Sequence, residues 1–389
     1  MALTFLLLCA PGLLVAAAGL LAGFVFLAGL RLPRVQRGGV VTLILPLTGE
    51  ARGLLTLLRA IEAQTLSPRR LLICVESTFD PAYARATRMA GETRLPVDVV
   101  IAGEATSCAQ KCRNQIAGLQ RIDGRDEVVV LLDADIVPPP WWLSALASPI
   151  VDGSADIVTG YRWPTIGSGR LGAHLAAAID RGIALLPRLA VFHVTWGGSL
   201  AMSPRTLKRL QAERILAETL SDDCTIGAQA ATLGLRVLTR RALLVPTPAA
   251  DGVAALWRFG RRQYQIIRVY RPGLWWLALL AVSARLAAWG VLVMHLEDRW
   301  ARLAIGALLG AALLAAALQA LAGRRLGFPE PPAVRLAQLA LCAGKPLVDL
   351  FHWTLVLAAS DARSIRWGHL TYRVSGPARI AVSRRRPWR

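Results

Sequence analysis

The sequence predicts an α/β domain with a mainly parallel sheet, tied to a membrane by apolar helices at both ends. Three observations predict it. From Gly38 to Val245, apolar runs of strand length alternate with stretches of helical spacing, the pattern of repeated β–α units. Three stretches with almost no charge, Thr4 to Leu30, Leu274 to Met294 and Leu303 to Ala322, are each long enough to cross about 30 Å of hydrocarbon as a helix. Hydrophobic residues make up 54% of the 389 and mean hydropathy is +0.46, which is more apolar than a soluble globular chain of this length usually is.

Taken in order, the first apolar run is longer than a signal-peptide core and has neither a basic leader nor a small-x-small site before Arg31, so an uncleaved anchor is expected over residues 1–37. VVTLILPL (40–47) reads as a strand, LLTLLRAIEAQ (54–64) as a helix, LLICVES (71–77) as a strand and PAYARATRMAGE (81–92) as a helix. VDVVIAG (97–103) is a third strand, SCAQKCRNQIAGLQ (107–120) a helix, and EVVVLLDADIV (127–137) an apolar strand that ends in two acids. The domain so outlined is 38–250. A basic stretch rich in Trp, Tyr, Ile and Arg (251–273) suits a helix lying in the membrane interface. Residues 274–360 form the second membrane region. Arg285 interrupts its first stretch, and 333–360, with Arg335, Lys345, Asp349 and His352, reads as a re-entrant or interfacial helix pair as readily as a single span. Residues 361–389 are expected to be a basic cytoplasmic tail.

Formal net charge is +20, and only Lys111, Lys208 and Lys345 are lysines. The arginines cluster beside the apolar spans, at Arg31/Arg34/Arg37, Arg258 to Arg271, Arg324/Arg325 and Arg384 to Arg389, and no nucleic-acid module is present. Such flanks orient a membrane protein and bind anionic headgroups. They place the N-terminus outside, Arg31 to Pro272 in the cytosol, and the loop His295 to Arg302 outside. The six cysteines are scattered and form no CxxC pair, which suits a reducing compartment and no zinc site.

In open parallel sheets, ligands bind beyond the carboxyl ends of the strands. Pro46–Thr48, Glu76–Asp80 and Asp133–Asp135 all fall at such ends. DAD (133–135) puts two carboxylates one residue apart, the hard-oxygen ligands that a divalent ion bridging a diphosphate needs; the plain alternative is a turn. SDDCTIG (221–227) lies in a polar break before a helical stretch. Asp223 is the candidate base for an acceptor hydroxyl, and the alternative is that Asp222 or Asp223 caps the helix.

These motifs together resemble the family-2 glycosyltransferases of the GT-A fold, and within them the ceramide glucosyltransferase and hopanoid-glycosyltransferase-like branch. The resemblance rests on ILPLTG (44–49), LLICVESTFDPA (71–82), AQKCRNQIAGL (109–119), DADIVPPPWWL (133–143), VTWGGSLAM (194–202), SDDCTIGAQAATLGLRV (221–237) and IRWGHLTYRV (365–374). It implies a GT-A domain, a nucleotide-sugar donor (a UDP-sugar), a lipid acceptor of ceramide, hopanoid or glycerolipid type, and Mg²⁺ or Mn²⁺ as cofactor. Pro46, Glu76 and Asp133 would hold the nucleoside, with Asp80 nearby. Asp135 and Asp133 would bind the metal. Lys111 and Asn114 would border the donor site, Trp196, Gly197, Gly198 and Asp222 would line the acceptor side, and Asp223 would act as base. One motif departs from the family: the (Q/R)xxRW signature survives only as Arg258-Phe-Gly-Arg261-Arg262 or Arg262-Gln-Tyr-Gln265-Ile266, which leaves Arg261 and Arg262 as its candidate cations. Two further readings stay open at this point, a processive polysaccharide synthase and a non-catalytic membrane scaffold that keeps the fold.

Overall fold

The computed structural model describes residues 2–33, 38–188 and 190–388. Arg34 and Arg37 of the first basic cluster and Arg389 of the last lie outside the described residues. The order along the chain is α1 (Ala2–Ala28), β1 (Val41–Pro46), α2 (Leu54–Glu62), β2 (Arg70–Val75), α3 (Pro81–Glu92), β3 (Val97–Ile101), α4 (Gln110–Leu119), β4 (Val128–Leu132), α5 (Trp142–Val151), β5 (Ile157–Thr165), α6 (Leu171–Ala184) and β6 (Ser199–Met202). It continues with α7 (Pro204–Leu210), α8 (Ala212–Leu216), α9 (Asp222–Thr232), β7 (Val237–Pro248), α10 (Val253–Tyr270), α11 (Pro272–Met294), α12 (Arg299–Arg325), α13 (Pro332–Ala343), α14 (Lys345–Ala358), β8 (Ser364–Trp367), β9 (Leu370–Gly376) and β10 (Arg379–Arg385). The chain divides into two compact units.

The sheet unit comprises Arg31–Arg162, Arg188–Thr247 and Ala362–Arg389. Its large sheet has the order β3-β2-β1-β4-β6-β5-β7. β1 pairs in parallel with β2 and β4, and β2 with β3, whereas β6 runs antiparallel to both β4 and β5. The strands β1, β2 and β4 are buried along almost their whole length, as parallel strands covered on both faces must be. Leu43, Leu45, Ile73, Val130 and Leu132 form the core with Leu57 and Ile61 of α2 and with Trp142 of α5. Strand order reverses between β1 and β4, which opens a crevice at their carboxyl ends. The mainly parallel sheet expected from the sequence is thus present, with β6, β5 and β7 as a mixed extension.

The basic tail expected over 361–389 is instead folded. β8, β9 and β10 form a three-stranded antiparallel sheet, with Ile365, Leu370, Tyr372, Val374 and Ile380 buried. Alternation with period two drives this: apolar residues take one face and most of the arginines the other, Arg385 excepted.

The helical unit comprises Met1–Leu30, Trp163–Pro187 and Pro248–Asp361, so α6 belongs here although it lies within the span 38–250. Three of its helices are long and apolar enough to cross a membrane: Leu7–Ala28, Pro272–Met294 and Arg299–Arg325. Gly12 lets α1 approach α11 closely, since a Cβ there would lie 2.7 Å from the Ala284 carbonyl oxygen; small residues do this at helix contacts in lipid. Leu7, Leu14, Leu21, Leu277, Leu280 and Leu303 are exposed, as lipid-facing side chains would be. Arg285 is tolerated in α11 because Asp349, buried on α14, accepts an ion pair from it at 2.9 Å. Lys345 and the Trp289 indole also reach that carboxylate. α13 and α14 meet at a bend of 84°.

One buried carboxylate ties together the edge of the large sheet opposite the crevice. Asp126 accepts from Thr42, from Arg69 at 2.8 Å, from Arg70 at 3.0 Å and from the Asp123 N–H. Burial alone would raise its pKa, but these donors outweigh burial and hold it below the ordinary carboxylate value of 3.8. A group with a depressed folded pKa stabilises the fold above its unfolded pKa and loses that contribution as pH falls through the folded value. Asp126→Ala is therefore expected to lower the unfolding stability of the sheet unit by about 3 kcal/mol at pH 7. In chemical denaturation the gap to the unsubstituted protein should narrow below pH 4.

Candidate active site

The crevice is built from three strand ends, and one side chain locks two of them together. Asn114 on α4 donates to the carbonyls of Leu47, at 3.1 Å, and Cys74, at 2.9 Å, fixing the ends of β1 and β2. Gln110 holds Asn114 in turn, at 2.9 Å, so α4 clamps the floor of the crevice.

The DAD turn leaves β4 on the other side of the switch. It packs so tightly on the start of α2 that a Cβ at Gly53 would lie 2.7 Å from the Ala134 carbonyl oxygen. Lys111, in the first turn of α4, sits where the helix dipole disfavours a cation. It is held there by carboxylates: Nζ is 2.8 Å from Asp133 Oδ1 and 3.1 Å from Asp222 Oδ2. Burial would lower the Lys111 pKa, but Asp133, Asp222 and Asp223 outweigh it and push it well above the usual lysine value. Asp222 is itself buried and receives the Gln115 amide at 2.6 Å. It therefore holds Lys111 and Gln115 rather than presenting a free acid to an acceptor.

Asp223, the next residue, lies beside this pair at the start of α9, where the helix dipole favours a carboxylate. Its Oδ2 accepts from the Gly197 N–H at 3.2 Å, and its Oδ1 from the Ser221 hydroxyl and the Cys224 N–H. Burial and then Asp222 raise its pKa above the ordinary carboxylate value, against the opposing pull of Lys111 and these donors. The loop Trp196–Gly198 passes directly over the pair. A Cβ on Gly197 would lie 2.7 Å from Asp222 Oδ2 and 2.8 Å from Lys111 Nζ. A Cβ on Gly198 would strike the Trp196 ring. Thr159 anchors the loop through the Trp196 N–H at 3.0 Å, and Trp196 lies against Tyr161 with ring centroids 5.9 Å apart.

Asp135 is exposed to solvent yet ringed by protein, as a side chain in a cleft is. That enclosure, then the Asp133 carboxylate, pushes its pKa up to about 6, with Lys111 and Arg162 opposing. The remaining expected residues divide. Pro46 ends β1 at the crevice. Asp80 is the N-cap of α3, accepting from Ala82 at 2.9 Å and from the Gly49 N–H at 2.8 Å, so it closes the turn after β1. Glu76, at the end of β2, is enclosed by the small sheet: Arg385 binds Oε1, and His369 Nε2 lies 3.0 Å from Oε2. Arg261 and Arg262 lie on α10 in the helical unit, where Arg261 donates to the Ala358 carbonyl at 3.0 Å and Arg262 lies 5.5 Å from the Phe259 ring centroid. All six cysteines are free.

The sequence matches glycosyl transferase family 21 over residues 6–380. The chain belongs to that family. The match supports the glycosyltransferase resemblance read from the motifs and places the chain in family 21. No curated protein matches the chain. Among solved structures it is similar to a Pyrobaculum calidifontis mannosyltransferase in complex with GDP-Man and Mn²⁺, at 18% identity and TM-score 0.48, covering 91% of this chain and 97% of the other. It is also similar to glucosyl-3-phosphoglycerate synthase from Mycobacterium tuberculosis, at 17% identity and TM-score 0.36, covering 59% of this chain and 78% of the other.

In this family-21 glycosyltransferase, sequence reasoning missed Gln115, Arg162 and Arg385. Gln115 carried a signal, since it lies one turn beyond Lys111 on the same helix. Arg162 and Arg385 carried none beyond their charge. Gly197 offers the sharpest test of the geometry. Gly197→Ala is expected to separate Lys111 from Asp222 and to cut kcat by about 100-fold, the cost of misplacing a catalytic group by about 1 Å, while circular dichroism stays unchanged.

Proposed function

We propose that this transferase moves a sugar from a UDP-sugar to the hydroxyl of a membrane lipid of ceramide, hopanoid or glycerolipid type, with inversion at the anomeric carbon. The observation that carries the reading is the pairing of Lys111 with both Asp133 and Asp222, which joins the DAD turn and the start of α9 at one point. A phosphate-binding end and a basic end then share one cleft.

The residues at the DAD turn fit a divalent cation such as Mg²⁺ or Mn²⁺. Asp133 and Asp135 are hard oxygen donors one residue apart, and burial, then the Asp133 carboxylate, raises the Asp135 pKa. An ion held there would take its remaining ligands from phosphate and water. When bound, such an ion supplies positive charge to the leaving diphosphate. Lys111 meets the same diphosphate as a point charge, a task this reading gives to it in preference to Arg261 or Arg262. Asp223 takes the proton of the acceptor hydroxyl. The Gly197 N–H and the Ser221 hydroxyl hold its carboxylate in place, and its raised pKa makes it a stronger base. Trp196, Gly197 and Gly198 border the acceptor.

The three long apolar helices support a membrane setting, and the arginine flanks support a cytosolic sheet unit. Topology adds a constraint. The small sheet is wired to α4 through the Tyr372 hydroxyl, which accepts from the Gln110 N–H at 3.1 Å, so residues 362–388 share a membrane side with β1–β4. Crossings by α11 and α12 return the chain to that side, and α13–α14 must then enter and leave by the same face. We read this bent pair as re-entrant. In sealed vesicles, an impermeant maleimide should label Leu296→Cys from one face, and Phe79→Cys and Ser360→Cys from the other. Labelling of Ser360→Cys with Leu296→Cys would refute the re-entrant reading.

For the chemistry, purified protein in nanodiscs with membrane lipid extract, labelled UDP-sugar and Mn²⁺ should yield labelled lipid, and EDTA should abolish it. Asp223→Asn should reduce transfer by at least 1000-fold while UDP binding persists. Because Asp223 must be ionised to act, kcat should fall as pH drops through its pKa, with a midpoint above the ordinary 3.8. Full activity in Asp223→Asn would remove the proposed base.

A further inference from the structure

The small C-terminal sheet ends against the donor crevice rather than pointing away from it. After β10 the chain carries Trp388 back to the turn that follows β1, where a Cβ on Gly49 would lie 3.8 Å from the indole. His369, from the turn between β8 and β9, stacks on the same indole with ring centroids 3.7 Å apart and planes at 40°. Trp388 stays half-buried, so the pair forms a supported aromatic face and is not sealed into a core.

Arg385 fixes this face to the large sheet. Its guanidinium binds Glu76 Oε1, donates to the Ala105 carbonyl at 3.2 Å and lies 3.3 Å from a Glu104 oxygen. Arg385 also reaches His369 Nε2 at 3.2 Å, which orients the imidazole under the indole. Burial, then Arg385, lowers the His369 pKa to about 4, so the ring is neutral at pH 7 and can accept that hydrogen bond. Glu76 and Asp80 are both buried; Asp80 keeps Oδ2 without a hydrogen bond, whereas Glu76 Oε2 faces His369 Nε2 at 3.0 Å. Glu76 and Asp80 therefore lie at the crevice end that carries this aromatic surface, away from Lys111 and the DAD turn. Phe79, the other aromatic side chain on these loops, is 86% exposed and has no support that would make it a platform.

A half-buried, supported ring face at the end of such a crevice is the chemistry that recognises a planar base. Stacking holds the base through its face. We propose that the C-terminal sheet completes the donor site: Trp388, backed by His369, stacks on the nucleobase, and Arg385 is the positioning residue that locks this face to Glu76. The proposal rests on the nucleotide-sugar reading above and extends it to residues outside the α/β domain that the sequence outlines. The phosphates and the base are then held by different parts of the sheet unit, the first by α4 and the DAD turn, the second by β8–β10.

The test is calorimetric binding to the full-length protein in nanodiscs with Mn²⁺, using UDP, GDP and uridine as probes. Trp388→Ala should weaken UDP binding about tenfold or more, the size of a lost base-aromatic stack, and Trp388→Phe should restore most of it. Uridine binding should fall by the same factor, because the lost contact is to the nucleoside. Lys111→Ala should weaken UDP but not uridine. Arg385→Ala should weaken both, with Arg385→Lys intermediate, and circular dichroism should show each variant folded at the temperature of the assay. Unchanged UDP affinity in Trp388→Ala would overturn this proposal and leave the transferase reading standing. Tighter binding in Trp388→Ala would overturn it in favour of a strap that shuts the crevice. Failure of the unsubstituted protein to bind either UDP or GDP would overturn both.

Discussion

The site depends on one ammonium group. Lys111 lies among carboxylates that arrive from separate parts of the chain, Asp133 from the end of β4 and Asp222 from the start of α9. Without it, Asp133, Asp135, Asp222 and Asp223 would crowd negative charge into a poorly solvated cleft, and mutual repulsion would push them apart or protonate them. With it, the sheet end and the helix end are joined, and the Trp196–Gly198 loop can lie against the pair only because Gly197 has no side chain. Geometry, charge and the glycine are parts of one constraint.

That constraint also explains how two neighbouring aspartates come to differ. Asp222 is turned inward, bound to Lys111 and Gln115. Asp223 is turned toward the loop and takes its hydrogen bonds from Gly197, Ser221 and its own helix start. A helix cap and a catalytic base are not exclusive at this position: the same dipole that favours a carboxylate there keeps it oriented for a proton.

Much of this was legible in the sequence, for identifiable reasons. Parallel strands buried on both faces are continuous apolar runs, so β1, β2 and β4 stand out, and the acids after β4 stand out against them. Lys111 was conspicuous as one of three lysines among many arginines. The C-terminal sheet was obscured by its own composition. Its arginines dominate any reading by charge, although Leu370, Tyr372 and Val374 alternate as a half-buried strand does. Glu76 was read correctly as a residue of a strand end, but no local signal reports that Arg385, 309 positions away, encloses it. Asp80 was expected near the nucleoside; its hydrogen bonds add that it caps α3 and closes the turn after β1. The place of α6 in the helical unit was invisible for a related reason, since a helix of 14 residues reads alike in either unit until its partners are known. The sequence left 333–360 open because a pair of helices bent by 84° has the same composition whether it spans or re-enters.

The central claim is that one carboxylate, Asp223, deprotonates an acceptor hydroxyl that attacks opposite a diphosphate held near Lys111 and the DAD turn. The most direct measurement of that arrangement is the configuration of the new bond. Product formed from an α-linked UDP-sugar should show a β-anomeric proton coupling by nuclear magnetic resonance. An α-linked product would contradict the account.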